Sequence, residues 1–193
     1  MEKRPRNAAA TRDAILRSAI TSFARHGYDG AGVREIAAGA GVTAMLVNRY
    51  FGSKEQLFAE ASAATLEQPV ILSPDTVDSS APWADMARKL VAITDPGIDA
   101  LAGFQILLRS ASSDHAVAIG REQIETHHQQ TMQMLIRSNP VPERAALALA
   151  IVAGVQLLRQ TMAVDALAKA DPGTLERLLA PLFRQLIEGD ATN

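Results

Sequence analysis

Apolar residues along this chain recur at the spacing of helices. Leu16, Ile20, Phe23 and Ala24 fall three or four residues apart, which places them on one face of an amphipathic helix. Similar patterns follow, separated by Gly, Pro, Ser and Asp residues that are typical of turns. Alternating β-branched runs are missing. The pattern predicts an all-α fold of about nine helices.

Turn and capping residues predict where these helices begin and end. Thr11 can cap the first helix, Gly27 can end it, and Ser53 with Gln56 forms a capping box for a long fourth helix. Pro181 should kink the last helix or shift its start. The predicted helices span residues 11–27, 33–39, 43–51, 54–67, 82–94, 97–111, 115–138, 142–169 and 174–188. A Pro- and Ser-rich segment at 68–81 marks a boundary between the fourth helix and the rest.

Composition points to a globular protein of the cytoplasm. Hydrophobic residues make up 48% and charged residues 21% of the chain, which is ordinary for this class. The absence of cysteine excludes disulfides and Cys–zinc sites. The longest apolar run, residues 145–155, is too short to cross a bilayer, and no secretory leader is expected at the N-terminus. We therefore expect no membrane association.

Charge is distributed unevenly along the chain. Residues 1–54 hold nine Lys or Arg against four Asp or Glu, whereas residues 66–193 hold ten against fifteen. A basic first quarter on an acidic body favours an anionic partner at one end. A solvated basic tail is the alternative, because three of the nine cations lie in the first six residues.

Residues 33–51 form the pattern of a helix-turn-helix, two short helices joined at Gly41. On the second helix, the 3.6-residue spacing places Ala44, Met45, Asn48 and Arg49 opposite the apolar side. Arg pairs with guanine, Asn with adenine, and Ala or Met contacts the thymine methyl group. This face suits a DNA major groove, although a plain solvated helix face has the same pattern.

The same region resembles the DNA-binding domain of the TetR family of bacterial transcriptional repressors over residues 11–60. The matching positions keep their register over about a quarter of the chain. They are Phe23-x3-Gly27-Tyr28, Val33-Arg34-Glu35-Ile36-Ala37, Ala40-Gly41-Val42-Thr43 and Tyr50-Phe51-Gly52-Ser53-Lys54-Glu55-x-Leu57. Residues 107–111 and the helix after Asp171-Pro172 also resemble one C-terminal subgroup.

The resemblance implies a homodimer that binds a roughly palindromic operator on double-stranded DNA and is released by a small molecule. It implies a three-helix DNA-binding domain at residues 1–54, joined by a long helix to a ligand-binding and dimerisation domain at 55–193. It also implies that Lys54 contacts a phosphate. The residues that it places toward DNA are Thr43, Ala44, Met45, Asn48, Arg49 and Tyr50.

Three departures from the family pattern keep other functions open. Gly32 stands where the family usually has Thr or Ser, Ala44-Met45 where it often has Lys-Gly, and Asn48 where it often has Tyr. One alternative is a dimeric ligand-binding or protein-interaction module with a weakened DNA surface. Another is an activator that uses the same DNA contacts.

The apolar helix at 142–169 predicts a dimer. It is apolar almost all round, so it must be covered on most sides. We expect it to pair with the helix at 174–188 and with their copies in a second chain, as in the family. A fully internal core helix in a monomer is the alternative.

Polar side chains on apolar helices are candidates for an effector site, because such pockets combine apolar walls with a few polar groups. His127 shares a stripe with Met134 and is expected to point inward in preference to His128. A buried structural role is the alternative for each candidate. The candidates are Phe104, Gln105, Leu108, His127, Met134 and Gln156. The expected ligand is apolar or amphipathic.

Enzymatic motifs do not appear in the sequence. Gly39-Ala40-Gly41 does not complete a dinucleotide fingerprint. Ser113-Asp114-His115 is better explained as a helix start, and His127-His128 project about 100° apart on a helix, which is poor geometry for one metal ion. We expect no catalysis, no cofactor and no metal.

Overall fold

A computed structural model describes residues 4–66, 69–95, 97–98 and 101–189. Over these ranges the chain forms eleven helices and no strand, which confirms the predicted all-α fold. Two helices of four residues, α5 and α10, were not predicted. The helices are α1 (Arg4–Gly30), α2 (Val33–Gly39), α3 (Ala44–Phe51), α4 (Lys54–Ala64), α5 (Pro74–Val77), α6 (Pro82–Ile93), α7 (Ala102–Arg109), α8 (residues 114–135), α9 (Val141–Thr161), α10 (Asp165–Ala168) and α11 (Pro172–Glu188).

The helices pack into two compact units, each with its own apolar core. The first unit contains residues 4–66 and 101–123, and the second contains residues 69–95, 97–98 and 124–189. The predicted division at residue 54 concerns function rather than packing, so it stays a prediction.

The core of the first unit lies among α1, α2, α3 and α4. Ile15, Phe23, Ile36 and Leu57 are fully buried there. Phe58 meets the Phe23 ring edge-on, with centroids 5.0 Å apart. Helix α7 packs along α1 in the same unit, so the region predicted to bind DNA shares one core with part of the following sequence.

Helix α1 is longer than predicted. It begins at Arg4 rather than near Thr11, because the alanines before Thr11 are strong helix formers. Gly27 has the expected positive φ, 67°, but its ψ of −176° differs from that of a left-handed helix cap, and helical turns resume after it and end at Gly30. A Cβ atom at Gly27 would lie 2.3 Å from the Arg109 carbonyl oxygen, so this contact between α1 and α7 requires glycine.

The second unit is built around α6, α9, α11 and the second half of α8. Its core includes Met86, Leu90, Met132, Ala148 and Phe183. Helix α6 packs along α11, and α9 packs against α11 and α8. Only one face of α9 is therefore used inside the unit.

Several predicted helix bounds in the two units are wrong. Helix α7 is shorter than the predicted 97–111, and α4 ends at Ala64, while Glu67 lies outside the described residues. The predicted helix 142–169 ends at Thr161, where a turn with Ala163 at φ 50° precedes α10. Helix α11 continues through Pro181. The exposed position of Pro181 leaves its ring facing solvent instead of the core.

Helix α9 is 21 residues long, and its most apolar 18-residue stretch has a mean hydropathy of 1.5, so by length and composition it could cross a membrane. Its inward face, with Ala145 and Ala148, packs into the core of the second unit, but only 17% of its most apolar stretch is buried. Helix α9 is therefore not wholly internal to its own chain, and dimerisation stays a prediction. The outward face of α9 needs another cover.

Candidate nucleic-acid interface

Helices α2 and α3 are joined by a tight turn that local residues specify. Gly41 has φ of 68°, and the Val42 amide donates to the Ala37 carbonyl at 2.9 Å. The Thr43 hydroxyl then accepts from the Leu46 amide at 3.4 Å and caps α3. Gly32 begins α2 in an extended conformation and has no side chain to cap it. The predicted helix-turn-helix is confirmed, as is its turn at Gly41.

Helix α3 is held to the first unit by its inner side. Val47 and Phe51 are buried in the core. The Arg12 guanidinium lies 4.7 Å from the centre of the Phe51 ring and pairs with Glu60 on α4. The cation adds attraction to the face of that ring. These contacts fix the direction of the outer side of α3.

The outer side of α3 exposes four of the predicted DNA contacts. We call Thr43, Met45, Asn48 and Arg49 the reading face. All four are exposed, and Met45 is 80% exposed. The face thus combines a hydroxyl, a thioether, an amide and a guanidinium, which together can meet donors, acceptors and methyl groups on base edges.

Two other predicted contacts lie partly in the core. Ala44 and Tyr50 are half-buried and pack against the apolar cluster of the first unit. The helical spacing predicts Ala44 on the outer side, whereas the structure places it partly against the core. Their contact with DNA stays a prediction, and the reading face is the part of α3 that is open to a groove.

Lys54 lies at the start of α4, where Ser53 accepts from the Gln56 amide at 3.1 Å and confirms the predicted cap. The Lys54 ammonium is 4.8 Å from the centre of the Tyr28 ring and donates to the Asp29 carbonyl at 3.4 Å. An ammonium has three donors, so this position leaves protons for a phosphate. The helix N-terminus attracts the same group.

The ring beside Lys54 belongs to a small polar cluster at the end of α1. The Tyr28 ring stacks on the His115 ring with centroids 6.5 Å apart, and His115 Nε2 lies 2.9 Å from Glu55 Oε1. Burial raises the pKa of the Tyr28 hydroxyl, and the charges of Glu55 and Asp29 raise it further. The Tyr28 hydroxyl therefore stays protonated, and the ring offers Lys54 a neutral π face.

The predicted effector residues fall in both units. Phe104, Gln105 and Leu108 are half-buried on α7 in the first unit. In the second unit, Gln156 is buried whereas Met134 is 70% exposed. Their common role in one site stays a prediction.

The expectation that His127 points inward in preference to His128 is wrong. His127 is exposed and His128 is half-buried. Burial lowers the pKa of His128, and the neighbouring His127 lowers it further. The cause is a π-helical segment, Ile124–Gln129, inside α8. The wider turn rotates the faces of the helix, so a stripe counted at α-helical spacing is misplaced.

Sequence reasoning missed Arg159, which is only 2% exposed. It lies in a second π-helical segment, Gln156–Thr161, at the end of α9. Its guanidinium donates to the Val91 carbonyl at 2.6 Å, to the Thr94 hydroxyl at 2.8 Å and to the Leu167 carbonyl at 3.2 Å. The sequence signal for Arg159 is a lone arginine at the end of an apolar run. Such a run predicts a buried helix, and a buried charge needs hydrogen-bond partners.

The fold and the reading face define a helix-turn-helix DNA-binding regulator with a helical C-terminal domain. Residues 15–61 match the family model of bacterial regulatory proteins of the tetR family. Residues 84–187, more than half of the chain, match the model of the tetracyclin repressor-like C-terminal domain. The chain belongs to the TetR family and is a transcriptional regulator of that family, whose members are not enzymes.

Similar proteins agree with this assignment. The HTH-type transcriptional repressor SCO4008 of Streptomyces coelicolor is 36% identical over 83 residues, which are 42% of this chain and 42% of that protein. The chain thus matches less than half of the length of that relative.

Solved structures match nearly the whole chain. A TetR-family regulator from Streptomyces coelicolor A3 has a TM-score of 0.61 at 21% identity and covers 97% of this chain and 99% of its own. The multidrug binding protein EbrR, solved in complex with ethidium, has a TM-score of 0.64 at 19% identity. The match covers 89% of this chain and 98% of the EbrR chain. At such identities the likeness shows the fold alone.

Proposed function

We propose that this chain is a ligand-responsive, dimeric repressor of the cytoplasm that binds a palindromic operator and is released by a small molecule. The observation that carries the proposal is the reading face, whose four side chains are exposed on a helix that is anchored by buried Val47 and Phe51. A rigid helix with an open polar face is what major-groove reading requires.

Each side chain of the reading face has a proposed role. Arg49 donates two hydrogen bonds to a guanine, Asn48 pairs with an adenine, and Met45 contacts a thymine methyl group. Lys54 contacts a phosphate from the start of α4, which positions the helix without reading sequence. Sequence specificity therefore depends on α3, whereas Lys54 contributes equally to the affinity for every DNA sequence.

Dimerisation is proposed through α9 and α11. Exposed large apolar side chains accumulate on these helices, and a monomer would leave them in water. We call this set the apolar face, and it consists of Leu147 and Leu158 on α9, Met162 directly after α9, and Leu178 and Leu182 on α11. A two-fold dimer would present two copies of α3 to successive major grooves about 34 Å apart.

Effector release follows from two conformations of the dimer. A small molecule that binds better to a dimer with another spacing of the α3 helices shifts the population away from DNA. The ethidium complex of EbrR and the naming of SCO4008 as a repressor support this proposal. An activator would use the same DNA contacts.

Selection of bound duplexes from a random DNA pool tests the proposal. It is run at about 150 mM salt with excess non-specific competitor, because phosphate contacts alone give salt-sensitive binding to any sequence. We expect an inverted repeat with one consensus half-site for each α3. Recovery of no consensus by folded, dimeric protein would support the alternative, a ligand-binding or interaction module with a weakened DNA surface.

A further inference from the structure

The end of α9 is a π-helical turn that carries polar side chains after a long apolar run. Gln156, Arg159 and Gln160 all belong to it. Gln156 is 6% exposed and shares the inward side of α9 with Ala145 and Ala148. The apolar face lies on the other side of α9, so Gln156 faces the interior of its own unit rather than the proposed dimer partner.

The side chains of Arg159 and Gln160 donate hydrogen bonds to other groups of the second unit. Besides the three bonds of Arg159, the Gln160 amide nitrogen donates to the Ile93 carbonyl at 3.0 Å and to the Ile98 carbonyl at 2.9 Å. These bonds tie the turn to the end of α6 and the residues after it. They also fix which end of the Gln160 amide is nitrogen, since an oxygen could not bond to two carbonyls.

The acceptors of the same turn are not occupied. Among the described residues, the Oε1 atoms of Gln156 and Gln160 are buried and have no hydrogen-bond partner. Buried acceptors are satisfied in nearly all native structures, by protein, water or ligand. Two such acceptors four residues apart therefore need donors that the described residues do not supply, such as those of water or a ligand.

The surroundings of the turn are mostly apolar. Ile93, Val155 and Leu167 are partly buried and pack against the core of the second unit. A few fixed polar groups among apolar side chains are typical of small-molecule sites. The bonds of Arg159 fix the turn that carries these acceptors before a ligand arrives, which reduces the entropy lost on binding.

We propose that Gln156 and Gln160 are the polar contacts of the effector site and that they accept hydrogen bonds from N–H or O–H groups of a small aromatic or amphipathic effector. This inference rests on the proposed function, because it assigns the chemistry of the ligand that releases the repressor. A ligand whose donors are methylated loses these bonds while keeping its apolar contacts.

Matched probe pairs test the assignment on the full chain. Binding of indole and 1-methylindole, and of phenol and anisole, is measured by calorimetry for the native protein and for Gln156→Met. We expect the native protein to bind the donor-bearing member of each pair about three- to tenfold more tightly, and the variant to bind both members within about twofold. Gln130→Met, at an exposed glutamine of α8, is the control and should keep the native preference.

Thermal unfolding of the same variants without ligand gives an independent result. Replacing an orphaned buried acceptor by an apolar isostere should leave the midpoint of Gln156→Met unchanged or raise it. A lower midpoint would mean that the Gln156 amide has a structural partner or a bound water, and would overturn the proposal. Equal affinity for both members of each pair, or no binding of any probe, would overturn it as well.

Operator binding separates this inference from the function on which it rests. If native protein binds an operator but does not distinguish the probes, only the effector chemistry is wrong. If it distinguishes the probes but selects no operator, the effector-site proposal is supported and the proposed repressor function is wrong.

Discussion

The reading face and the apolar face are both exposed in the single chain, but their chemistry differs. The reading face has three polar side chains and one methionine, Met45. Its polar groups are hydrated until DNA replaces the water. The apolar face has five large hydrophobic side chains and no such compensation.

This difference indicates that the proposed dimer contact lasts longer than the proposed contact with DNA. Removing an exposed leucine from water gains on the order of 1 kcal/mol. In a two-fold dimer the same leucine is buried on both subunits, so the gain occurs twice. Contacts to DNA phosphates and base edges weaken with salt and exchange with water. We therefore infer that the dimer persists in solution whereas the operator complex forms and dissociates.

Breaking the apolar face should have the largest effect. Leu147→Lys places a charge, and its two-fold copy, in the proposed dimer contact, so we expect monomers and an operator affinity at least about 100-fold lower. Sedimentation velocity and gel shift measure the two effects. Glu125→Lys, which makes a charge change at an exposed residue of α8 outside the apolar face, is the control and should stay dimeric. Monomeric Leu147→Lys with full operator affinity would refute the link between the two faces.

The second-largest effect is expected on the reading face. Arg49→Ala should cost about 1–3 kcal/mol of operator binding and relax preference at one base position. Repeating the DNA selection with the variant measures both. Arg17→Ala removes an exposed arginine of α1 and should leave site preference intact. An unchanged consensus for Arg49→Ala would rule out a base contact.

The two units also differ in how far their structure could be predicted from the sequence. In the first unit, residues close in sequence decide the geometry. Gly41 turns the chain and Ser53 caps α4 as expected, and Thr43 caps α3 where the third helix is predicted to begin. In the second unit, the π-helical turns of α8 and α9 have no local signature. For this reason the α-helical spacing predicts the wrong orientation for His127. The buried partners of Arg159 could not be predicted either, because Val91 and Thr94 lie more than 60 residues away in sequence.

Removal of the proposed phosphate contact should give a smaller and less selective change. Lys54→Ala is expected to weaken binding to all sequences about equally and to reduce the salt slope by about one ion. Affinities for the operator and for a scrambled duplex, measured over a salt series, check this. Loss confined to the operator would contradict the phosphate role.

The smallest effect concerns the one apolar member of the reading face. Met45 is 80% exposed, so Met45→Ala should change the free energy of unfolding by less than about 0.5 kcal/mol. Its operator preference should weaken at one A·T position, because a methyl contact is lost. Chemical denaturation and competition binding measure the two quantities. A large loss of stability would show that Met45 packs in the fold rather than facing DNA.

The central claim is that the apolar face holds two reading faces at a fixed distance. Sedimentation of the protein with its selected inverted repeat, and with the same repeat lengthened by about five base pairs, tests this directly, because half a helical turn moves one half-site to the opposite side of the duplex. The account predicts two chains on the native repeat and a loss of affinity of at least about 100-fold on the lengthened one. Independent binding of single chains to each half-site, at any spacing, would contradict it.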